Sequence, residues 1–131
     1  LFPYTTLFRS VITGRHSKMV LGRCDELDIR HVFTGVKDKI TALEELLKRT
    51  ALQASDLAIM GDDWPDLPIL IRAGLRIAPA QAHSEVCQIA HYITQAKGGF
   101  GAVREACDLI LKAQGQYETL LSAAKGQSSP S

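Results

Sequence analysis

Two rhythms of apolar residues alternate along this chain. Short β-prone runs are separated by stretches whose apolar positions recur at helical spacing, the pattern of βαβ units around a parallel sheet. The first run, Val11-Ile12, predicts a strand broken by Thr13-Gly14, and Met19, Val20, Cys24 and Leu27 then share one face of a helix over 16–27. A second short strand is expected over 31–34, closed by Gly35. Residues 39–48 read as an amphipathic helix that buries Ile40, Leu43, Leu46 and Leu47. The continuous apolar run 57–60 predicts a buried strand leading into Gly61-Asp62-Asp63. A helix over 66–73 ended by Gly74, a strand over 75–78, a helix over 82–90 and a strand over 92–94 come next. The turn Gly98-Gly99-Phe100-Gly101 opens a last helix over 102–113, and polar composition predicts a flexible tail over 116–131. The expected fold is therefore α/β, a three-layer Rossmann-like arrangement with a parallel sheet, carried by residues 11–115.

Composition narrows the possible functions. A chain of 131 residues suits one domain with a real core, and 22% charged residues are ordinary for a globular protein. No apolar run approaches the roughly 20 residues of a membrane span, so no transmembrane role is expected. A formal charge of +1 gives no electrostatic reason to expect nucleic acid or an anionic membrane surface. Any anion must be caught locally. Cys24, Cys87 and Cys107 form no CxxC pair, which reads as buried thiols in a reducing, cytoplasmic setting and not as a disulfide framework. The stretch LFPYTTLFRS over 1–10 begins with Leu1 and has no signal-peptide pattern. It reads as a junction unrelated to residues 11–115.

Ligands of parallel α/β sheets bind beyond the carboxyl ends of the strands. Three polar clusters fall at such ends: Thr13-Gly14-Arg15, Lys37-Asp38-Lys39 and Gly61-Asp62-Asp63. A hydroxyl beside Gly can offer itself and nearby amides to phosphate oxygens. A Lys at a helix start adds a full charge to the positive end of the helix dipole. Adjacent carboxylates repel one another unless a cation neutralises them, and hard oxygen ligands beside a phosphate select magnesium. Taken singly, Thr13-Gly14 is a helix cap and Lys39 a surface lysine. Taken in order at successive strand ends, the three point to a phosphate held beside a divalent cation.

ITGR at 12–15, Lys39 and GDDxxD at 61–66 resemble motifs two, three and four of the haloacid dehalogenase superfamily phosphatases. AHSEVCQIAHYIT, GGFGAVREACDLIL, AQG and AKGQ further resemble the branch that hydrolyses 3-deoxy-D-manno-octulosonate 8-phosphate. The resemblance implies a magnesium-dependent phosphoric monoester hydrolase of lipopolysaccharide precursor synthesis, cytoplasmic and tetrameric. In that family a nucleophilic Asp forms an aspartyl-phosphate, and a second Asp two residues later protonates the leaving oxygen. The resemblance assigns phosphate or substrate binding to Thr13, Gly14 and Arg15, and neutralisation of the phosphoryl oxygens to Lys39. Asp62 would hold magnesium, Asp63 would support Lys39 or a water on the metal, and Asp66 would order the loop.

The resemblance puts the nucleophile motif DxDG on a strand upstream of ITGR, and the 131 residues contain no DxD, so the expected fold is missing its first strand. The chain alone is therefore expected to be inactive. Two other readings stay open: a phosphatase for a nine-carbon 2-keto-3-deoxy sugar acid phosphate, and a non-catalytic oligomerisation module. Phe100 stands where the family pattern expects Arg. Arg104 and Glu105 could reach a neighbouring subunit or form a solvated helix face. Trp64 could wall the substrate pocket or simply pack. His83, Cys87 and His91 are spaced H-x3-C-x3-H, but on a helix the outer pair would lie about 12 Å apart, too far to share an ion.

Overall fold

The computed structural model describes residues 10–12, 31–33, 36–98, 101–113, 115 and 117–126. Strands β1 (Ser10–Ile12) and β2 (His31–Phe33) pair in parallel, Val11 opposite Val32. A separate three-stranded parallel sheet has the order β3–β4–β5, formed by Ala58–Met60, Leu75–Ala78 and Tyr92–Ile93. Ile59 lies opposite Arg76, and Ile77 opposite Tyr92. The strands expected from the apolar runs are present and parallel, which makes the fold α/β. Among the described residues no strand joins the two sheets, and β3 pairs with β4 alone.

Helix α1 (Lys39–Thr50) starts where Asp38 caps it: Asp38 Oδ1 accepts from the Ile40 amide at 3.1 Å and Oδ2 from the Thr41 hydroxyl at 2.8 Å. It buries Ala42, Leu43 and Leu46, and it packs on β1 and on α2 (Leu67–Leu70). Lys48 and Arg49 lie in its last turn, the end where cations complement the helix dipole. The helix expected over 66–73 is shorter and splits in two. A 3-10 turn, Trp64–Asp66, leads into α2, and Pro68 lacks the amide hydrogen that would carry one α-helical ladder on from Trp64.

Gly74 brings the chain back to the sheet at close quarters. Its amide donates to Leu57 O at 3.0 Å, and an added Cβ would fall 2.0 Å from Ser55 O. Helix α3 covers Ser84–Ile89, shorter than the expected 82–90, because His83 serves as its N-cap. Leu70, Ala78 and Val86 make the centre of the core, with Ile59, Leu67, Cys87 and Ile89 against them. Cys87 and Cys107 are half-buried, not fully buried as expected; Cys24 lies outside the described residues, as does the helix expected over 16–27.

Helix α4 (Ala102–Ala113) matches its sequence expectation and buries Ala102, Ala106 and Leu111. The tail differs from expectation. Residues Tyr117–Ala124 form a further helix, α5, which contacts α4. Its YETLLSAA segment carries Leu121 half-buried, and Lys112 at the end of α4 sits 4.7 Å from the centre of the Tyr117 ring. Proximity to α4 and a cation–π contact accompany a helix that its polar surroundings in the sequence obscured.

Candidate active site

The loop after β3 and the first residue of α1 meet through one side chain. Asp66 is buried, with 7% of its surface exposed. Its Oδ1 accepts a hydrogen bond from the Lys39 ammonium. Its Oδ2 accepts from the backbone amides of Asp62 at 2.9 Å and Asp63 at 3.2 Å. Asp66 thus orders the GDD loop, as the sequence pattern implied, and it also holds Lys39. The resemblance gave Asp63 one of two tasks, supporting Lys39 or supporting a water on the metal. That carboxylate is engaged elsewhere: Asp63 Oδ1 accepts from the Trp64 amide at 2.8 Å and caps the 3-10 turn.

Gly61 makes this arrangement possible. An added Cβ there would stand 2.5 Å from Asp66 Cβ and 2.9 Å from its Cγ. Only a hydrogen at position 61 lets the Asp66 carboxylate fold back beneath the loop. The loop is tied to the sheet as well, since the Gly61 amide donates to Ile77 O at 3.2 Å.

The electrostatics of the two acids diverge. Burial pushes the Asp66 carboxyl up, but the hydrogen bond from Lys39, the loop amides and the Lys39 charge outweigh it and hold the group below the usual carboxylate range. Burial, then repulsion from Asp66, pushes Asp62 above that range. Asp62 is exposed at the tip of the loop, a carboxylate whose ionised form gains from a cation. A single carboxylate with water and phosphate oxygens completing the shell is how magnesium is commonly held. Among the described residues no three metal-ligating side chains converge, so the donor set fits a cation only in that shared form. Thr13, Gly14 and Arg15 lie outside the described residues, and so does Phe100.

The loops after β4 and β5 are stitched beside this one. Ala80 N donates to Ala96 O at 3.3 Å, Gly98 N to Gln81 Oε1 at 2.7 Å, and His83 N to Asp62 O at 2.8 Å. Sequence reasoning gave Glu105 a solvated face or a role in a neighbouring subunit. Instead its carboxylate accepts from the amides of Gln95 (3.0 Å) and Ala96 (3.0 Å) and from the Tyr92 hydroxyl (2.7 Å). No sequence period marks a carboxylate reaching back to amides nine and ten residues earlier. The Ala96 and Gln95 amides and the Tyr92 hydroxyl hold Glu105 below the usual carboxylate range, so the clamp exists above that range and loosens as pH falls through the depressed value. At neutral pH, Glu105→Gln should speed hydrogen exchange at the Gln95 and Ala96 amides roughly three- to tenfold, the size of about one ordinary hydrogen bond, because Gln keeps an acceptor and loses the charge. Unchanged protection would remove the clamp.

Arg104 pairs with Asp108 at 3.5 Å along α4. His83 Nδ1 and His91 Nδ1 each accept a backbone amide hydrogen, from Glu85 at 3.1 Å and Arg76 at 2.9 Å. Both imidazoles are committed to the backbone.

Residues 13–106 match the haloacid dehalogenase-like hydrolase family. The chain is 44% identical over 119 residues to the 3-deoxy-D-manno-octulosonate 8-phosphate phosphatase of Escherichia coli (strain K12), a match covering 91% of this chain and 61% of that protein. It is 45% identical over 109 residues to the phosphatase of the same name from Yersinia pestis, covering 83% of this chain and 58% of that one. The chain therefore spans about three fifths of the length of the curated relatives it matches. Among solved structures it resembles the Moraxella catarrhalis 3-deoxy-D-manno-octulosonate 8-phosphate phosphatase in complex with magnesium, phosphate and KDO. That likeness has a TM-score of 0.87 at 40% identity and covers 91% of this chain and 68% of that one. The Yersinia pestis phosphatase structure matches with a TM-score of 0.81 at 45% identity, over 83% of this chain and 59% of that one.

Proposed function

The chain belongs to the haloacid dehalogenase-like hydrolases, and from that premise we propose that it provides the phosphate- and magnesium-holding part of a sugar-phosphate phosphatase. The substrate is 3-deoxy-D-manno-octulosonate 8-phosphate, and the setting is lipopolysaccharide precursor synthesis in the cytoplasm, by a homotetramer. One observation carries the reading: a buried carboxylate, Asp66, joins the Lys39 ammonium to the Asp62-Asp63 loop at the carboxyl end of a parallel sheet. The relatives' shared substrate name and the magnesium, phosphate and KDO in the Moraxella structure support the chemistry. No helix of the described residues is long and apolar enough to cross a membrane.

Each residue has a physical task. Lys39 commits one of its three donors to Asp66 and keeps two for phosphoryl oxygens. Its charge offsets the repulsion between a dianionic phosphate and an attacking carboxylate. Asp62 would hold the magnesium, whose charge would be supplied to the phosphoryl oxygens. Asp63 adds a second negative charge beside it, and Thr13, Gly14 and Arg15 receive the phosphate. The attacking Asp is not among the 131 residues, which contain no DxD. That same fact favours a second reading, a non-catalytic oligomerisation module.

Two arms separate these readings. The purified 131-residue chain should bind inorganic phosphate more tightly with magnesium than without, by calorimetry, and should release none from the sugar phosphate. Placed downstream of a DxDG-bearing strand segment, it should hydrolyse the substrate with magnesium, and Lys39→Met should slow that about 10²–10³-fold. Phosphate binding indifferent to magnesium would leave the module reading standing; turnover by the chain alone would refute the need for an added Asp. Side-by-side rates on the eight- and nine-carbon sugar acid phosphates set the preferred substrate.

A further inference from the structure

Directly after the acidic pair stands the chain's single tryptophan. Trp64 is 60% exposed, the most exposed aromatic ring among the large hydrophobic side chains of the described residues. An exposed indole usually has loose rotamers. This one is fastened: its Nε1–H donates to His83 Nδ1 at 3.1 Å, and the two rings meet edge to face with centroids 5.5 Å apart. His83 is itself anchored twice. Its backbone amide donates to Asp62 O at 2.8 Å, and the Glu85 amide donates to its Nδ1 at 3.1 Å. With two donors converging on Nδ1, the ring's own hydrogen sits on Nε2. The loop after β3 and the loop after β4 therefore hold one aromatic plate between them, at the sheet end where the Asp62-Asp63 pair lies.

The polar atom of Trp64 is already satisfied, so what the ring offers outward is apolar face. Burying that face against the protein would stabilise the fold, yet more than half of the residue stays in water. A substrate anchored by its phosphate near Lys39 and Asp62 must extend its sugar past the rim of the same loop. One face of a pyranose ring presents mainly C–H bonds, which suit an aromatic plane, while its hydroxyls remain free for water. We propose that Trp64 is a specificity-determining residue, stacking the C–H face of the substrate's sugar, with His83 as the positioning residue that fixes the ring. This rests on the sugar-phosphatase reading and names the part of the site that selects the sugar.

Because Trp64 is the chain's one tryptophan, fluorescence excited at the red edge of indole absorption, beyond the three tyrosines, reports on this residue alone. The experiment titrates the 131-residue chain with 3-deoxy-D-manno-octulosonate in the presence of magnesium and inorganic phosphate. Emission should change saturably with the sugar acid and not with phosphate alone. Calorimetry on Trp64→Ala should show the sugar acid bound about tenfold more weakly and phosphate bound as before, with Trp64→Phe between the two. Both variants alter an exposed ring, and unchanged phosphate affinity certifies their folding. Sugar binding that ignores both substitutions, or no sugar binding where phosphate still binds, overturns the role of Trp64 and leaves the phosphatase reading intact. Loss of phosphate binding in the unaltered chain overturns that reading, and this inference with it.

Discussion

Asp66→Ala should destabilise the protein by about 3 kcal/mol, the largest single loss expected in this region. The substitution leaves the Lys39 ammonium, with only 16% of its side chain exposed, without its counter-charge. It also strips the Asp62 and Asp63 amides of their acceptor. Breaking a buried ion pair by removing one partner costs roughly 3–5 kcal/mol, and the residual solvent access of both groups argues for the low end. For a domain of this size that is a fall of about 10 °C in thermal midpoint. Asp66→Asn keeps an acceptor for the amides and loses the charge, so it should fall between. The pH dependence has a definite sign. Because the Asp66 carboxyl is held below the usual range, its contribution is present above the unfolded-state value and lost as pH falls through the lower, folded one. The gap between wild type and Asp66→Ala should therefore close below about pH 4. Equal melting at neutral pH would show that the carboxylate organises nothing.

Gly61→Ala should come next, at about 2 kcal/mol, by overpacking and not by lost bonding. The new methyl would need the space 2.5 Å from Asp66 Cβ. Asp66 cannot swing aside cheaply, because Lys39 and two amides fix its oxygens. Either the loop lifts or the carboxylate lets go, and both displace Asp62. Magnesium-dependent phosphate binding should accordingly vanish in Gly61→Ala even where the variant remains folded, as circular dichroism would establish. Retained binding would show that Asp62 does not need this loop geometry. The two substitutions act on one arrangement, so their costs should sum to less than the total of the singles.

How far the sequence revealed this arrangement depends on the range of each interaction. Local periodicity marked α1, β4 and α4, because the alternation of buried and exposed positions lies within a few residues. Asp66 as the organiser of its own loop was legible from GDDxxD, since the amides that donate to it are three and four residues away. The bond from Asp66 to Lys39 was not legible. Those residues are 27 apart, and the resemblance pointed Lys39 to Asp63 instead. Glu105 and His83 were hidden for the same reason: one reaches back to a loop before its helix, the other caps a helix that composition alone extends through it. Tyr117–Ala124 was misread because the polar residues around it masked a helix held by contact with α4.

The link between Lys39 and Asp66 also fixes when the site can exist. Joining positions 27 residues apart carries a loop-closure cost of about 3 kcal/mol by polymer statistics. The ammonium and the acidic loop are thus strangers in the unfolded chain and meet only after α1 has docked. A species in which α1 has not docked cannot offer both halves to an anion. Any phosphate that binds between them therefore binds the native state alone, and by mass action it stabilises that state in proportion to the logarithm of its concentration.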